Sequence, residues 1–344
     1  MPKNSLQGHS TATGWKITKQ IKTELGSGGN FCARYEVQSP CGEKTGFMKA
    51  MDLADAGGGS LREIQEKINT YIFEQDILEL CKGKKMTRVV TPIEVGQIRC
   101  DNFPAEYNTV YYAIFDMAQG DLRSAHLNCE KQNKDWEAIF RALHHAAIGI
   151  QQLHNEEIAH QDIKPSNVLA FNPTSFKVSD LGRVVDKKGT SPYTEWIFPG
   201  DQGYKPIEMF YGITMFEFTD RLSCDMFMIG SLIYHMIEEV QIGYAILEEA
   251  DELHSRVRTL SFNDALPFLT TAFNRKMEDF RSACKNLFGD KAAEAIYITV
   301  KEMCHPNPKE RGNRKYKNEY AIFSMEKYIS KLNHVIALIK LEKK

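Results

Sequence analysis

The chain has 344 residues, 42% of them apolar and 26% charged, with a formal net charge of −2. That length allows one large domain or two lobes with a shared cleft, and the near-neutral charge leaves no footprint for nucleic acid or an acidic membrane surface. Eight cysteines lie scattered without a C-x-x-C pair, no apolar run reaches membrane-spanning length, and the start MPKNSLQGHSTATG lacks the apolar core of a signal peptide. Reduced thiols and a cytoplasmic location are the expectation.

In chain order, residues 1–14 are polar and read as a disordered tail. From Trp15 the pattern becomes strand-like: WKITKQIKTEL, a Gly-rich turn, then residues 32–37 and 45–51. Gly57-Gly58-Gly59 breaks that pattern, and Ser60-Leu61-Arg62-Glu63 fits a capping box opening a helix that runs to about Cys81. Strand-like runs at 88–98 and 110–116 complete a small, mainly β lobe over residues 15–116. Residues 117–319 read as a larger helical lobe. Within it Trp136, Phe140, Leu143, Ala147, Ile150 and Leu153 mark one apolar helix face, while residues 225–237 are apolar nearly all round, as in a buried helix. Residues 320–344 form an amphipathic helix with a stripe of Ile322, Met325, Ile329, Leu332, Ile336 and Ile339. The stripe is expected to pack on the helical lobe, with a weak homodimer seam as the alternative. The fold class is α+β in two lobes, hinged near residues 116–120.

The chemistry concentrates in His160-Gln161-Asp162-Ile163-Lys164-Pro165-Ser166-Asn167, followed thirteen residues after that Asn by Asp180-Leu181-Gly182. The pair of loops offers a carboxylate to orient an acceptor, a cation for a migrating phosphoryl group, and two oxygen ligands suited to Mg²⁺. Residues 168–170 and 176–178 bracket Asn172-Pro173-Thr174-Ser175, a hairpin that brings the two loops together. Upstream, Gly26, Ser27, Gly28 and Gly29 sit between two strands, where backbone N–H groups can approach phosphate oxygens. Lys49 follows on the next strand and needs a carboxylate partner, for which Glu63, Glu66, Glu74 and Glu79 compete.

In order and spacing these segments resemble the HRDxKxxN, DFG, GxGxxG and VAIK motifs of eukaryotic-type Ser/Thr protein kinases. Gly203-Tyr204-Lys205-Pro206-Ile207-Glu208 resembles the end of a kinase activation segment. Arg311 matches the late Arg that pairs with that Glu, and Asp225 the Asp that starts the buried helix and braces the catalytic loop. The resemblance covers about residues 15–315. It implies transfer of the γ-phosphoryl group of Mg-ATP to Ser or Thr hydroxyls of a protein substrate. Asp162 would orient the acceptor and take its proton, Lys164 would neutralise the phosphoryl group, and Asn167 and Asp180 would hold Mg²⁺. In kinases the paired Glu is followed four residues on by an apolar side chain, and among the four only Glu74, with Leu78, matches, so the resemblance implies Glu74 as the partner of Lys49. Ala33 stands where a Val covers the adenine. Phe115 would be the gatekeeper, the backbone at Asp116 and Ala118 would bond the base, and Asp121 would either reach the ribose or cap a helix.

Besides Ala33 for Val, five positions depart from the family pattern: Phe31 for the third Gly, Phe47 for the Ala against the adenine, Gln161 for Arg, Leu181 for Phe, and Asp201 for Thr. Gln161 removes the cation that in many kinases binds a phosphorylated activation loop, so no switch by that route is expected. On the same reading Gln161→Arg should change little. Thr190, Ser191, Tyr193 and Thr194 are phosphosite candidates by position only. Two rivals remain. A pseudokinase acting as a nucleotide-binding or scaffold module is argued for by Phe31, Phe47 and Asp201, and a small-molecule phosphotransferase is disfavoured by the Glu208 segment.

Overall fold

Strict alternation of burial along residues 45–52 sets up the smaller half of the molecule. In the computed structural model, which describes residues 1–21, 32–52, 61–104, 108–127, 133–213 and 216–342, the chain divides into two compact units. The first takes Met1–Met86 and Val90–Gln119. Its sheet has five antiparallel strands, β1 (Lys16–Gln20), β2 (Ala33–Gln38), β3 (Thr45–Asp52), β4 (Glu94–Arg99) and β5 (Thr109–Asp116), in the order β1-β2-β3-β5-β4. On β3, Met48, Ala50 and Asp52 are buried on one face, while Phe47, Lys49 and Met51 share the other. Helix α1 (Leu61–Gly83) covers the second face, where Tyr71 meets Tyr111 with ring centroids 5.0 Å apart.

The first face is covered by the chain's own N-terminus, a correction to the disordered tail expected from its polarity. Residues Pro2–Asn4 form a 3-10 turn and Leu6 is fully buried with Tyr35, Met48 and Ile114. Gly8 N–H donates to Ile17 O and Ile17 N–H to His9 O, both at 2.9 Å, so the segment pairs with β1. The Lys3 N–H donates to Asp52 Oδ2 at 2.7 Å, and Tyr35 Oη donates to Lys3 O at 2.6 Å. The physical reason is that a sheet needs cover on each apolar face, and helix α1 takes only one of them.

A second correction concerns residues 88–98. Only Glu94–Arg99 joins the sheet. Thr87–Val89 belong to the other unit, where Val178 N–H donates to Arg88 O at 2.9 Å and Val89 bridges Val178.

The second unit, Thr87–Val89 and Gly120–Lys344, is mainly helical. It runs β6 (Gly120–Asp121), α2 (Leu122–Leu127), α3 (Trp136–Asn155), β7 (Ile158–Ala159), β8 (Val168–Asn172), β9 (Ser175–Val178) and β10 (Val185–Asp186). Then follow α4 (Phe218–Glu238), α5 (Ile242–Leu253), α6 (Phe262–Met303), α7 (Glu319–Ile322) and α8 (Glu326–Glu342). Helix α6 is two helices in one: Gly289, at φ 68° and ψ 171°, breaks it with a backbone that glycine adopts readily. Helix α4 starts at Phe218, earlier than the expected start at Asp225, and every residue from 221 to 234 is buried. Helix α8 packs on α3 and α6, and Leu332, Ile336 and Ile339 are buried there. The stripe considered as a homodimer seam is therefore occupied within this chain. Among the described residues no helix is long and apolar enough to cross a membrane.

One buried titratable group ties α3 to the β8–β9 hairpin. His145 is 6% exposed and its Nδ1 accepts the Phe176 N–H at 3.3 Å. Burial first, then the like charges of Arg88, His144 and Arg141, push it down from 6.5 to about 4. Between those values the unfolded chain binds a proton that the folded chain does not, so stability falls as pH falls through this window. Urea unfolding across it should show a slope of up to about 1.4 kcal/mol per pH unit from this group. His145→Gln, which keeps an acceptor for Phe176, should flatten that slope, and an unchanged slope would assign it elsewhere.

Candidate active site

In the first unit the site residues lie on the α1 face of the sheet. Lys49 Nζ donates to Glu74 Oε1 at 2.8 Å, with both side chains partly buried. Strand pairing puts Phe47 opposite Phe115 and Lys49 opposite Ala113, so Phe47, Lys49 and Phe115 share one face. Phe115 is buried, Asp116 is exposed, and Ala118 is half-buried just past β5. Gly26, Ser27, Gly28 and Gly29 lie outside the described residues, as does Phe31.

Ala33 is a correction. It pairs with Ala50 and is buried in the core on the opposite face, away from Lys49. The residue opposite Lys49 on β2 is Arg34. A one-residue offset in a strand moves a side chain to the other face, and counting from the Gly-rich turn did not supply the β2–β3 register. Sequence reasoning thus missed Arg34. An alternation count run backward from Tyr35 and Val37 would have found it.

In the second unit a single buried carboxylate organises the loop before β8. Asp225, fully buried on α4, accepts from His160 N–H at 2.7 Å, Gln161 N–H at 2.8 Å, Gln161 Nε2 at 3.0 Å and His154 Nε2 at 2.8 Å. These bonds hold Gln161 at φ 63°, a left-handed backbone that a non-glycine residue adopts only when its surroundings compel it. His160 Nδ1 accepts the Asp162 N–H at 3.2 Å, which leaves the proton on Nε2 to donate to Ser179 O at 3.1 Å. The imidazole thus ties the Asp162 loop to the Asp180 loop, where Asp180 is exposed and also left-handed at φ 64°.

The loop brings together Asp162, Lys164 and Asn167. Asp162 Oδ2 accepts from Lys164 Nζ and from Asn167 Nδ2, both at 3.1 Å, and its Oδ1 accepts the Asp201 N–H at 2.8 Å. Asn167 Nδ2 also donates to Asp162 O at 2.8 Å, which leaves Asn167 Oδ1 as its atom for a cation. Lys164 Nζ lies 3.6 Å from Asp201 Oδ2, so the Asp that replaces Thr still engages the lysine. The hairpin expected between the two loops is present, with Val168 opposite Val178 and Asn172 opposite Ser175. Asp121 Oδ1 accepts the Ser124 N–H at 2.7 Å, the geometry of a cap on α2.

Farther along, Glu208 and Arg311 form a fully buried two-pronged pair, Nη1 to Oε1 at 2.9 Å and Nη2 to Oε2 at 2.8 Å. Arg311 also donates to His305 O and Ser223 Oγ, so all five of its N–H donors are used. Removing either partner strands a buried charge. Arg311→Met should cost about 3–5 kcal/mol in urea unfolding, and the double variant with Glu208→Leu should cost less than the sum of the singles. A single-variant cost near zero would show that the pair does not carry this part of the fold.

Comparison with known proteins agrees with this geometry. The family model described as protein kinase domain matches residues 21–319. The CTD kinase subunit alpha of Saccharomyces cerevisiae is 24% identical over 221 residues, 59% of this chain and 39% of that protein. Rhodopsin kinase GRK1 of Rattus norvegicus is 32% identical over 124 residues, 35% of this chain and 21% of that protein. G protein-coupled receptor kinase 1 of Caenorhabditis elegans is 27% identical over 185 residues, 50% of this chain and 27% of that protein. The aligned part of this chain thus spans well under half the length of each of these relatives. With the family match running through both units, the chain belongs to the protein kinase domain family.

Proposed function

We propose that the chain is an active Ser/Thr protein kinase that uses Mg-ATP and a protein acceptor in the cytoplasm. The observation that carries the reading is the Asp162 carboxylate, held between Lys164 and Asn167 at 3.1 Å on a loop braced by Asp225. Asp162 orients the acceptor hydroxyl and takes its proton late in transfer, while Lys164 counters the charge on the migrating group. Asn167 Oδ1 and the Asp180 carboxylate are hard oxygen donors that suit Mg²⁺. Among the described residues no cluster of three or more His, Cys, Asp or Glu forms a closed metal cage. Two protein ligands with phosphate oxygens and water completing the shell is how Mg²⁺ is commonly held. When bound, the ion would neutralise charge on the phosphate oxygens. Lys49, paired with Glu74 at 2.8 Å, would hold the nucleotide phosphates, with Phe115 behind the base. A lysine in the Asp162 loop and the Glu208–Arg311 pair favour a Ser or Thr hydroxyl on a protein over a metabolite.

Phe47, beside Phe115 on the face of Lys49, favours the rival of a pseudokinase, a nucleotide-binding or scaffold module without transfer, because a phenyl group there narrows the nucleotide pocket. Incubation with γ-labelled ATP, Mg²⁺ and a basic protein substrate separates the two. Label on Ser or Thr is expected, with Asp162→Asn and Lys49→Ala reducing turnover by about 10²–10⁴-fold and Asp180→Asn abolishing it. Folded wild-type protein that binds nucleotide but transfers no label would establish the module instead.

A further inference from the structure

Gln161, where many kinases carry a phosphate-binding Arg, is fully buried. Its side chain is spent on α4, with Nε2 donating to Arg221 O at 2.9 Å as well as to Asp225. That burial weighs against the expectation that Gln161→Arg would change little: a second guanidinium would have to fit beside one already there. The guanidinium already there is Arg221, near the start of α4 and fully buried. Burial disfavours its charge, and among the described residues its hydrogen-bond partners include no carboxylate. Its partners are oxygens of the segment ahead of Glu208. Nη2 donates to Thr194 O at 2.9 Å and Trp196 O at 2.7 Å, and Nη1 donates to Ile197 O at 3.3 Å and to Gln161 Oε1 at 3.4 Å.

Those carbonyls lead directly to the Asp162 carboxylate. Gly200 lies so close to Gln161 O that any Cβ would collide with it, and the next residue, Asp201, donates its N–H to Asp162 Oδ1 at 2.8 Å. Arg183 lies over the rings of Tyr193 at 4.9 Å and Trp196 at 5.9 Å in the same stretch. Three of the four hydroxyls that position alone marked as phosphosites are already engaged. Ser191 is buried and donates to Val184 O at 2.7 Å, Thr194 Oγ1 donates to Ser191 O at 2.8 Å, and Thr190 Oγ1 donates to Asp186 Oδ2 at 2.9 Å. A phosphate on Thr190 would meet the Asp186 carboxylate, a repulsive contact.

We propose that Arg221 is a positioning residue that orders the activation segment, residues 190–201, from inside the fold, so that the segment accepts substrate without being phosphorylated. The substrate-accepting part rests on the kinase reading above, whereas the ordering does not. The test is amide hydrogen exchange on phosphatase-treated protein whose intact mass shows no phosphate. Wild-type peptides across residues 190–201 should be protected. Arg221→Gln should speed their exchange by at least about tenfold while α3 and α6 peptides stay unchanged, and Arg221→Lys, which cannot span all three carbonyls, should fall between. In transfer assays the same variants should raise KM for the protein substrate by about tenfold and leave KM for ATP within about twofold. Phosphate-free wild-type protein exchanging across residues 190–201 like an unstructured peptide overturns the proposal. So does local exchange unchanged in Arg221→Gln or, should that variant not fold, in Arg221→Lys. Because exchange is read without turnover, an inactive but protected wild type would sink the kinase reading and leave the ordering role standing.

Discussion

The buried carboxylate of Asp225 is the constraint on which the larger unit's functional loop depends. A charge with no access to water has to be met by donors, and here the donors are two consecutive backbone amides, a glutamine amide and a histidine ring. Each bond to a charged acceptor contributes about 1.5–3 kcal/mol, which is enough to hold Gln161 in its left-handed backbone. That bend turns the chain so that Asp162, Lys164 and Asn167 meet one to six residues later. The geometry of the loop is a consequence of satisfying one buried charge from a neighbouring helix.

The same helix carries a second buried charge four residues earlier. Positions i and i+4 share a helix face, so Arg221 and Asp225 both look toward the loop and the segment after it. The carboxylate collects amide hydrogens and the guanidinium collects carbonyl oxygens, which lets α4 bind backbone of both polarities. Both are directional hydrogen bonds in a site closed to solvent, so salt screens them little. The Glu208–Arg311 pair repeats the principle farther from the loop and anchors the segment's far end.

In the smaller unit the decisive constraint is the register of β2 against β3. Lys49, Phe47 and Phe115 share a face because strand side chains alternate and the ladder sets which residues lie opposite. The N-terminal segment makes the other face a core, which buries Ala33 and leaves Arg34 opposite Lys49. Arg34 and Lys49 thus lie opposite each other on one face, and Glu74 from α1 pairs with the lysine.

The amino-acid sequence by itself determined the α+β order and the chemistry-bearing loops, while Glu74 was singled out from four glutamates only by resemblance to kinases. Those features are written in short-range spacing: turn residues, helical periodicity, and polar groups at fixed offsets along a loop. Tertiary structure alone decided that the polar N-terminus would be ordered, because a segment with few apolar residues shows no need to pack until an uncovered sheet face is present. It alone decided that Ala33 faces away from Lys49, because register is a property of two strands. It also decided that α8 is buried in its own chain, and that Arg221 reaches carbonyls at positions 194–197. An arginine in an apolar helix announces only that a partner must exist, and which atoms serve depends on backbone brought close from elsewhere in the chain.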